Sequence, residues 1–71
     1  MADEVVIYGK DSCPYTMSAR DDYRDRGRNV RYINVKKSPA DLDAMLALTG
    51  GRRDVPVIVD HGKVTIGFGG T

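Results

Sequence analysis

The 71-residue sequence predicts an α/β domain with the element order βαβαββ. Short β-branched runs alternate with longer stretches of helical spacing through the first half, and a proline opens each helical stretch. A turn around His61-Gly62 then separates two further apolar runs. Alternating strands and helices imply a parallel, right-handed crossover between strands one and two, and the closing hairpin adds antiparallel pairing. The expected product is a four-stranded mixed sheet in the order 2-1-3-4, with the two helices on opposite faces.

Each element has a local reason. Val5-Val6-Ile7-Tyr8 is short, apolar and ended by Gly9, which reads with Glu4 as a strand over 4–8 buried on both faces. From Pro14 to Arg26 there is no glycine or further proline, and Gly27 stands where a helix stops, so the first helix covers 14–26. Met17, Ala19 and Tyr23 are its expected inward residues, with Arg20, Asp21, Arg24 and Asp25 outward. Val30, Tyr32, Ile33 and Val35 form the second β run. Ser38-Pro39-Ala40-Asp41 reads as an N-cap, a proline at the first helical position and an acid at N3, ahead of Leu42, Met45, Leu46 and Leu48. Gly50-Gly51 ends that helix. Val55-Pro56-Val57-Ile58-Val59 is the third strand, opened by proline, and Asp60-His61-Gly62-Lys63 turns into the fourth, Val64-Thr65-Ile66.

Composition narrows the function. Residues 1–71 make one small domain near the lower size limit for folding without staples, so its core must be compact. Eleven basic against ten acidic side chains give a formal charge of +1, and nothing in that balance calls for nucleic acid or a membrane surface. No apolar run approaches a membrane span, and Met-Ala-Asp-Glu is a poor start for a secretory signal, which leaves the cytoplasm as the expected compartment. One cysteine rules out an internal disulfide. Cys13, the lone His61 and carboxylates are too poor a set for a four-ligand zinc site, so no metal is predicted.

The chemistry therefore rests on Cys13, which falls between the first strand and the first helix with Pro14 at the first helical position. A single cysteine is ordinarily an inert core residue. Here its sulfur sits over the positive end of a helix, where unpaired N–H groups and the helix dipole favour an anion and pull the thiol pKa from about 8.5 toward neutrality. Pro14 fixes the helix start, Thr16 has a hydroxyl to donate to the sulfur, and Lys10 is a nearby cation. A reactive thiolate is the consequence.

Lys10, Cys13-Pro14-Tyr15-Thr16, Val55-Pro56 and Gly67-Phe68-Gly69-Gly70 together resemble the glutaredoxin family of the thioredoxin fold, over essentially the whole chain. The run from Leu48 to Pro56 resembles the stretch that leads to that family's cis-proline. The resemblance implies a cis Val55-Pro56 bond that turns the Val55 backbone toward Cys13, where it can pair with glutathione or an extended peptide. It implies glutathione as co-substrate, with Lys10, Tyr15, Val55, Pro56, Gly67 and Phe68 contributing to its site. Arg53, or its neighbour Arg52, is expected to grip the glycine carboxylate.

Two departures shape the mechanism. Thr16 stands where dithiol glutaredoxins place a second cysteine, so the chemistry implied is monothiol, with Cys13 glutathionylated and then released by a second glutathione. The monothiol iron–sulfur members usually carry Cys-Gly-Phe-Ser, so a cluster carrier is an alternative rather than the first reading. A glutathione- or peptide-binding module is another. Gly67-Phe68 is also similar to redoxins that draw electrons from thioredoxin reductase, although those use two cysteines. The short ending after Gly70 implies a reduced or absent third helix. Without it, Val57, Val59, Val64 and Ile66 are expected to lose cover beside helix one, to be met by a homodimer or by Phe68 folding back as a plug.

The remaining candidates are read as structural. His61 is an exposed turn residue, the four tyrosines are too scattered for a nucleic-acid stacking platform, and Lys36-Lys37 are solvated loop ends.

Overall fold

The computed structural model describes residues 4–68. Along the chain it contains β1 (Glu4–Gly9), α1 (Pro14–Asp25), β2 (Asn29–Asn34), α2 (Pro39–Thr49), β3 (Val57–Asp60) and β4 (Lys63–Ile66). Met1-Ala2-Asp3 of the expected secretory-signal test and Gly69-Gly70-Thr71 of the expected glycine-rich ending lie outside the described residues. No helix among those described is long and apolar enough to cross a membrane.

The sheet has the predicted order β2-β1-β3-β4. β1 runs parallel to β2, pairing Val5 with Val30 and Tyr8 with Ile33, and antiparallel to β3, pairing Val5 with Asp60 and Tyr8 with Val57. β3 and β4 close as a hairpin that pairs Val57 with Ile66 and Asp60 with Lys63. Its two central residues, His61 and Gly62, have φ of 50° and 80°. Positive φ at both positions matches the turn twist to that of the strands, and glycine takes it without a steric cost. Arg28, just before β2, reaches across β1 to Asp60 at the end of β3, with Nη2–Oδ1 2.6 Å and Nη1–Oδ2 3.3 Å. This forked pair ties together the two strands that flank β1.

Alternation along β1 divides the core in two. Val5 and Ile7, both fully buried, meet Ala19 of α1 and Ile58 of β3, with Tyr23, Tyr32 and Phe68 packed around them. On the other face Met45 of α2, also fully buried, packs on Val57 and Val35, with Tyr8 and Ile66 beside them. The helices therefore lie on opposite faces, as expected.

Several local expectations are corrected. β1 extends through Gly9, α1 ends at Asp25, and β3 begins at Val57, so Val55 and Pro56 lie in the approach to the strand. Thr16 occupies the core face of α1 at 0% exposure, while Met17 and Arg20 are half-buried. Leu48 is 42% exposed because it sits about 120° round the helix from Leu42 at 100° per residue. Val57, Val59, Val64 and Ile66 do not lie beside α1. The pairs Val57–Ile66 and Val59–Val64 share the α2 face, where Val57 is fully buried. The β3 residue that faces α1 is Ile58, and Phe68 packs into its cluster. No third helix occurs among the described residues.

Two outcomes follow from this packing. Met45→Ala leaves a cavity under the centre of α2 and is expected to cost about 2–5 kcal/mol, a large share of the stability of so small a domain. Urea denaturation measures it. The Arg28 hydrogen bond, with smaller help from its charge and that of His61, holds the Asp60 carboxyl below its ordinary range. Its stabilising contribution is present above the unfolded-state value and is lost as pH falls through the lowered folded-state value. Asp60→Asn should flatten that acid limb of a stability-versus-pH curve.

Candidate active site

The C-terminal end of β1 delivers the site. After Gly9 the chain turns through Lys10-Asp11-Ser12-Cys13, closed by the Cys13 N–H donating to the Lys10 carbonyl at 3.1 Å. Cys13 then serves as N-cap of α1 in an extended conformation, with φ −96° and ψ 113°, and Pro14 takes the first helical position. A helix N-cap is ordinarily a serine, threonine, aspartate or asparagine, whose oxygen accepts from the N–H groups of N2 or N3. α2 follows that rule, since Ser38 Oγ accepts from the Asp41 N–H at 3.4 Å. In α1 no side-chain oxygen fills the role and no acid occupies the first turn. The cap position belongs to sulfur.

This arrangement determines the charge state of Cys13. Partial desolvation pushes the half-buried thiol up. The Thr16 hydroxyl, the backbone N–H groups of Thr16 and Tyr15 and the charge of Lys10 act against it, and the net displacement is downward. The two amides are those of N3 and N2, the donors at which an N-cap oxygen is ordinarily aimed, and the N3 amide of Thr16 also donates to the Cys13 carbonyl at 3.1 Å. Thr16 Oγ1 is buried without a hydrogen-bond partner among the described residues, yet its hydroxyl is near enough to Cys13 to favour the thiolate. A buried hydroxyl without a partner is costly, and the thiolate is the acceptor that relieves it. Ionising Cys13 thus satisfies the hydroxyl as well as the helix end.

The other expected site residues come from further segments. The Val55-Pro56 bond is cis, as expected, and the Pro56 carbonyl accepts from the Gly67 N–H at 2.7 Å. Lys10, Arg53 and Val55 line one groove of about 360 Å³ on the α2 side of the sheet. Of the two arginines, Arg52 is engaged with Asp54 at 2.9 Å, and Arg53 lines the groove. Tyr15 is 42% exposed on the first turn of α1. Phe68 is not brought to the groove but packs with the α1-side core. His61 lies at the far end of the hairpin turn, 3.6 Å from Asp60.

Three contributors escaped the sequence reading. Gly9 lies under Thr16, and a Cβ placed there would overlap the Thr16 Cγ2 and stand 2.6 Å from its Oγ1. Only glycine leaves room for the Thr16 side chain beside the cysteine. Tyr32 donates its hydroxyl to Asp11 Oδ1 at 2.6 Å, which fastens the turn before Cys13 to β2. Burial and that hydrogen bond hold the Tyr32 phenol above its ordinary range, so it remains a donor. The Gly-Lys-Asp spacing ahead of the cysteine carries no signal of either contact, because both partners come from the tertiary fold.

Two substitutions probe this support. Gly9→Ala should displace Thr16, raise the pH midpoint of Cys13 alkylation and lower stability. Tyr32→Phe should leave the fold intact, cost about 1 kcal/mol and slow alkylation. Asp11→Asn keeps an acceptor for Tyr32 and should stay close to the parent. Iodoacetamide kinetics with circular dichroism as a folding control measure all three.

The glutaredoxin family model matches residues 5–65, from β1 into β4. No curated protein matches the chain. Among solved structures, the glutaredoxin from Archaeoglobus fulgidus superposes with a TM-score of 0.79 at 23% identity, over 97% of this chain and 78% of that one. The glutaredoxin-like NrdH-redoxin from Escherichia coli gives 0.76 at 24% identity, over 93% and 84%. Both likenesses are of fold, and they agree with the sheet order and helix placement described above. Matched over residues 5–65, with β1 leading to a helix whose N-cap is Cys13 and a cis Val55-Pro56 bond ahead of β3, the chain belongs to the glutaredoxin family.

Proposed function

We propose that the protein is a glutathione-linked thiol–disulfide oxidoreductase that uses Cys13 in a monothiol cycle. The observation that carries this reading is the sulfur in the N-cap of α1, where two amides, a hydroxyl and Lys10 favour the thiolate. The thiolate attacks the glutathione sulfur of a mixed disulfide. A Cys13–glutathione bond forms, the original S–S bond breaks, and the substrate leaves as a thiolate that takes up a proton. A second glutathione thiolate attacks the glutathione sulfur of the adduct, releasing oxidised glutathione and regenerating Cys13. The net reaction converts the mixed disulfide and one reduced glutathione into the substrate thiol and oxidised glutathione. Lys10 and Arg53 offer cations to the glycine carboxylate, Val55 its backbone, and Tyr15 its exposed ring.

A redoxin fed by thioredoxin reductase is the second reading. It is favoured by Gly67-Phe68 and by the fold shared with the NrdH-redoxin, whose structure was described in terms of a thioredoxin-like activity profile. The lone cysteine weighs against it, because a dithiol donor needs a second sulfur. Coupling turnover of a small glutathione mixed disulfide to glutathione reductase, and separately to thioredoxin reductase, decides between the two. Turnover with glutathione that disappears in Cys13→Ser supports the first reading, and turnover only with thioredoxin reductase overturns it.

The thiolate itself is tested by alkylation against pH. The midpoint should fall below the free-cysteine value of about 8.5, and Thr16→Val should move it back upward and slow attack. Because the folded-state pKa is the lower one, the thiolate's stabilising contribution is present above the unfolded-state value. It vanishes as pH falls through the folded-state value. Thr16→Cys should create a dithiol that closes to an internal disulfide under oxidation, read by mass spectrometry.

A further inference from the structure

The turn between β1 and α1 carries opposite charges toward opposite layers of the fold. Lys10 lines the groove on the α2 side of the sheet, and no carboxylate lines it. Asp11, the next residue, is bonded instead to Tyr32, whose ring packs against the α1-side core of Val5, Ile7, Ala19 and Ile58. The two sides of the reactive turn therefore differ in sign.

Asp11 is exposed and yet held. The Tyr32 hydroxyl donates to Oδ1 at 2.6 Å, which restricts the rotamers open to an ordinary surface aspartate. Asp11 forms no ion pair among the described residues, whereas Asp21, Asp22, Asp54 and Asp60 each sit within 3.2 Å of an arginine. Arg20 is the cation whose charge also reaches the Tyr32 phenol, and its guanidinium is paired with Asp21 at 3.2 Å. The charge of Asp11 is thus left unneutralised. Tyr32 lies within electrostatic reach of Cys13 as well, which puts the carboxylate bonded to it on the rim of the site, two residues before the sulfur. To hold Tyr32 an uncharged amide oxygen would serve, so what the carboxylate adds is a fixed negative charge.

In the exchange proposed above, glutathione takes the groove on the α2 side, and the protein half of the mixed disulfide is left the opposite rim, where Asp11 stands. We propose that Asp11 determines specificity for that half, favouring protein disulfides with a lysine or arginine close to the substrate cysteine. The proposal rests on the glutathione-linked reading for which half of the disulfide meets Asp11, but not for the attraction itself. An exposed charge pair contributes little affinity and acts through encounter and orientation. Its signature is a few-fold preference that salt erodes.

Two peptides of equal length test it, each carrying one cysteine as a glutathione mixed disulfide, with lysines flanking that cysteine in one and glutamines in the other. The parent protein should show a kcat/KM about threefold higher for the lysine peptide at low salt and no preference at high salt. Asp11→Asn, which keeps an acceptor for Tyr32, should equalise the two peptides through KM. Asp25→Asn, the same change of charge at the far end of α1, should not. Equal use of both peptides by the parent, a preference that survives Asp11→Asn, or one that Asp25→Asn removes equally well overturns the proposal. So does a loss in Asp11→Asn that is the same for both peptides, which is what a purely structural role predicts. Titrating the same peptides into Cys13→Ser protein and following the Asp11 and Tyr32 amide resonances separates recognition from chemistry. Stronger shifts with the lysine peptide, lost when Asp11→Asn is added, uphold the role of Asp11 even if neither peptide is turned over, a result that would sink the glutathione-linked reading alone. No difference between the peptides in that titration overturns it whatever the redox assays show.

Discussion

The N-cap of α1, where Cys13 stands in place of a side-chain oxygen, is the constraint on which the rest of the site depends. Every helix leaves its first N–H groups without intrahelical partners, and a chain ordinarily satisfies some of them with a hydroxyl or carboxylate at the N-cap. α2 does so through Ser38, with Asp41 adding a negative charge to the first turn. α1 has neither, and Cys13 takes the position. A thiol is a poor acceptor and a thiolate a good one, so the unmet hydrogen-bonding demand of the helix becomes a bias toward ionisation. Fold and proposed chemistry share a single position, because the residue that caps the helix is the residue proposed as nucleophile.

That bias is useful only if the sulfur is held in place, and the small sheet supplies the hold from both sides. β1 is central and carries Val5 and Ile7 toward α1 and Tyr8 toward α2. It is thus the best anchored strand, and the reactive turn leaves directly from its end. Gly9 lets Thr16 settle against the strand, which fixes the register of α1 relative to the sheet. Tyr32 reaches from β2 to Asp11 and fastens the other side of the turn. The few residues between Gly9 and Pro14 are consequently held at both ends and in the middle, an arrangement suited to a preorganised nucleophile.

Charge is distributed with a similar economy. Most arginines are matched locally with aspartates, and Arg28–Asp60 is the pair that joins distant elements. Lys10, Lys36 and Arg53 are in no ion pair among the described residues, and they line one groove where three connections converge. Ligand sites in open α/β sheets form at the carboxyl ends of the parallel strands, and the groove obeys that geometry. Lys36 reads in the sequence as a solvated loop end. The fold makes it one wall of a cationic groove.

What the sequence by itself determined lies within a few residues of chain. Capping, proline placement, glycine stops and the 2.0 and 3.6 periodicities act over one or two turns, so the element order, the Ser38 cap and the position of Cys13 over a helix were legible before any coordinate. The strand order was legible too, because a βαβ crossover and a tight hairpin admit few alternatives. The cis Val55-Pro56 bond was an implication of family resemblance, not of local physics. Only the tertiary structure decided that Thr16 is a core residue, that Tyr32 holds Asp11, that Leu48 faces water and that Arg53, not Arg52, faces the groove. Each of these depends on which side chain another element presents at that point, set by sheet register and helix rotation. The same holds for Phe68, which enters the α1-side core because Ile58, and not Val57, is the β3 residue that the pleat turns to that face.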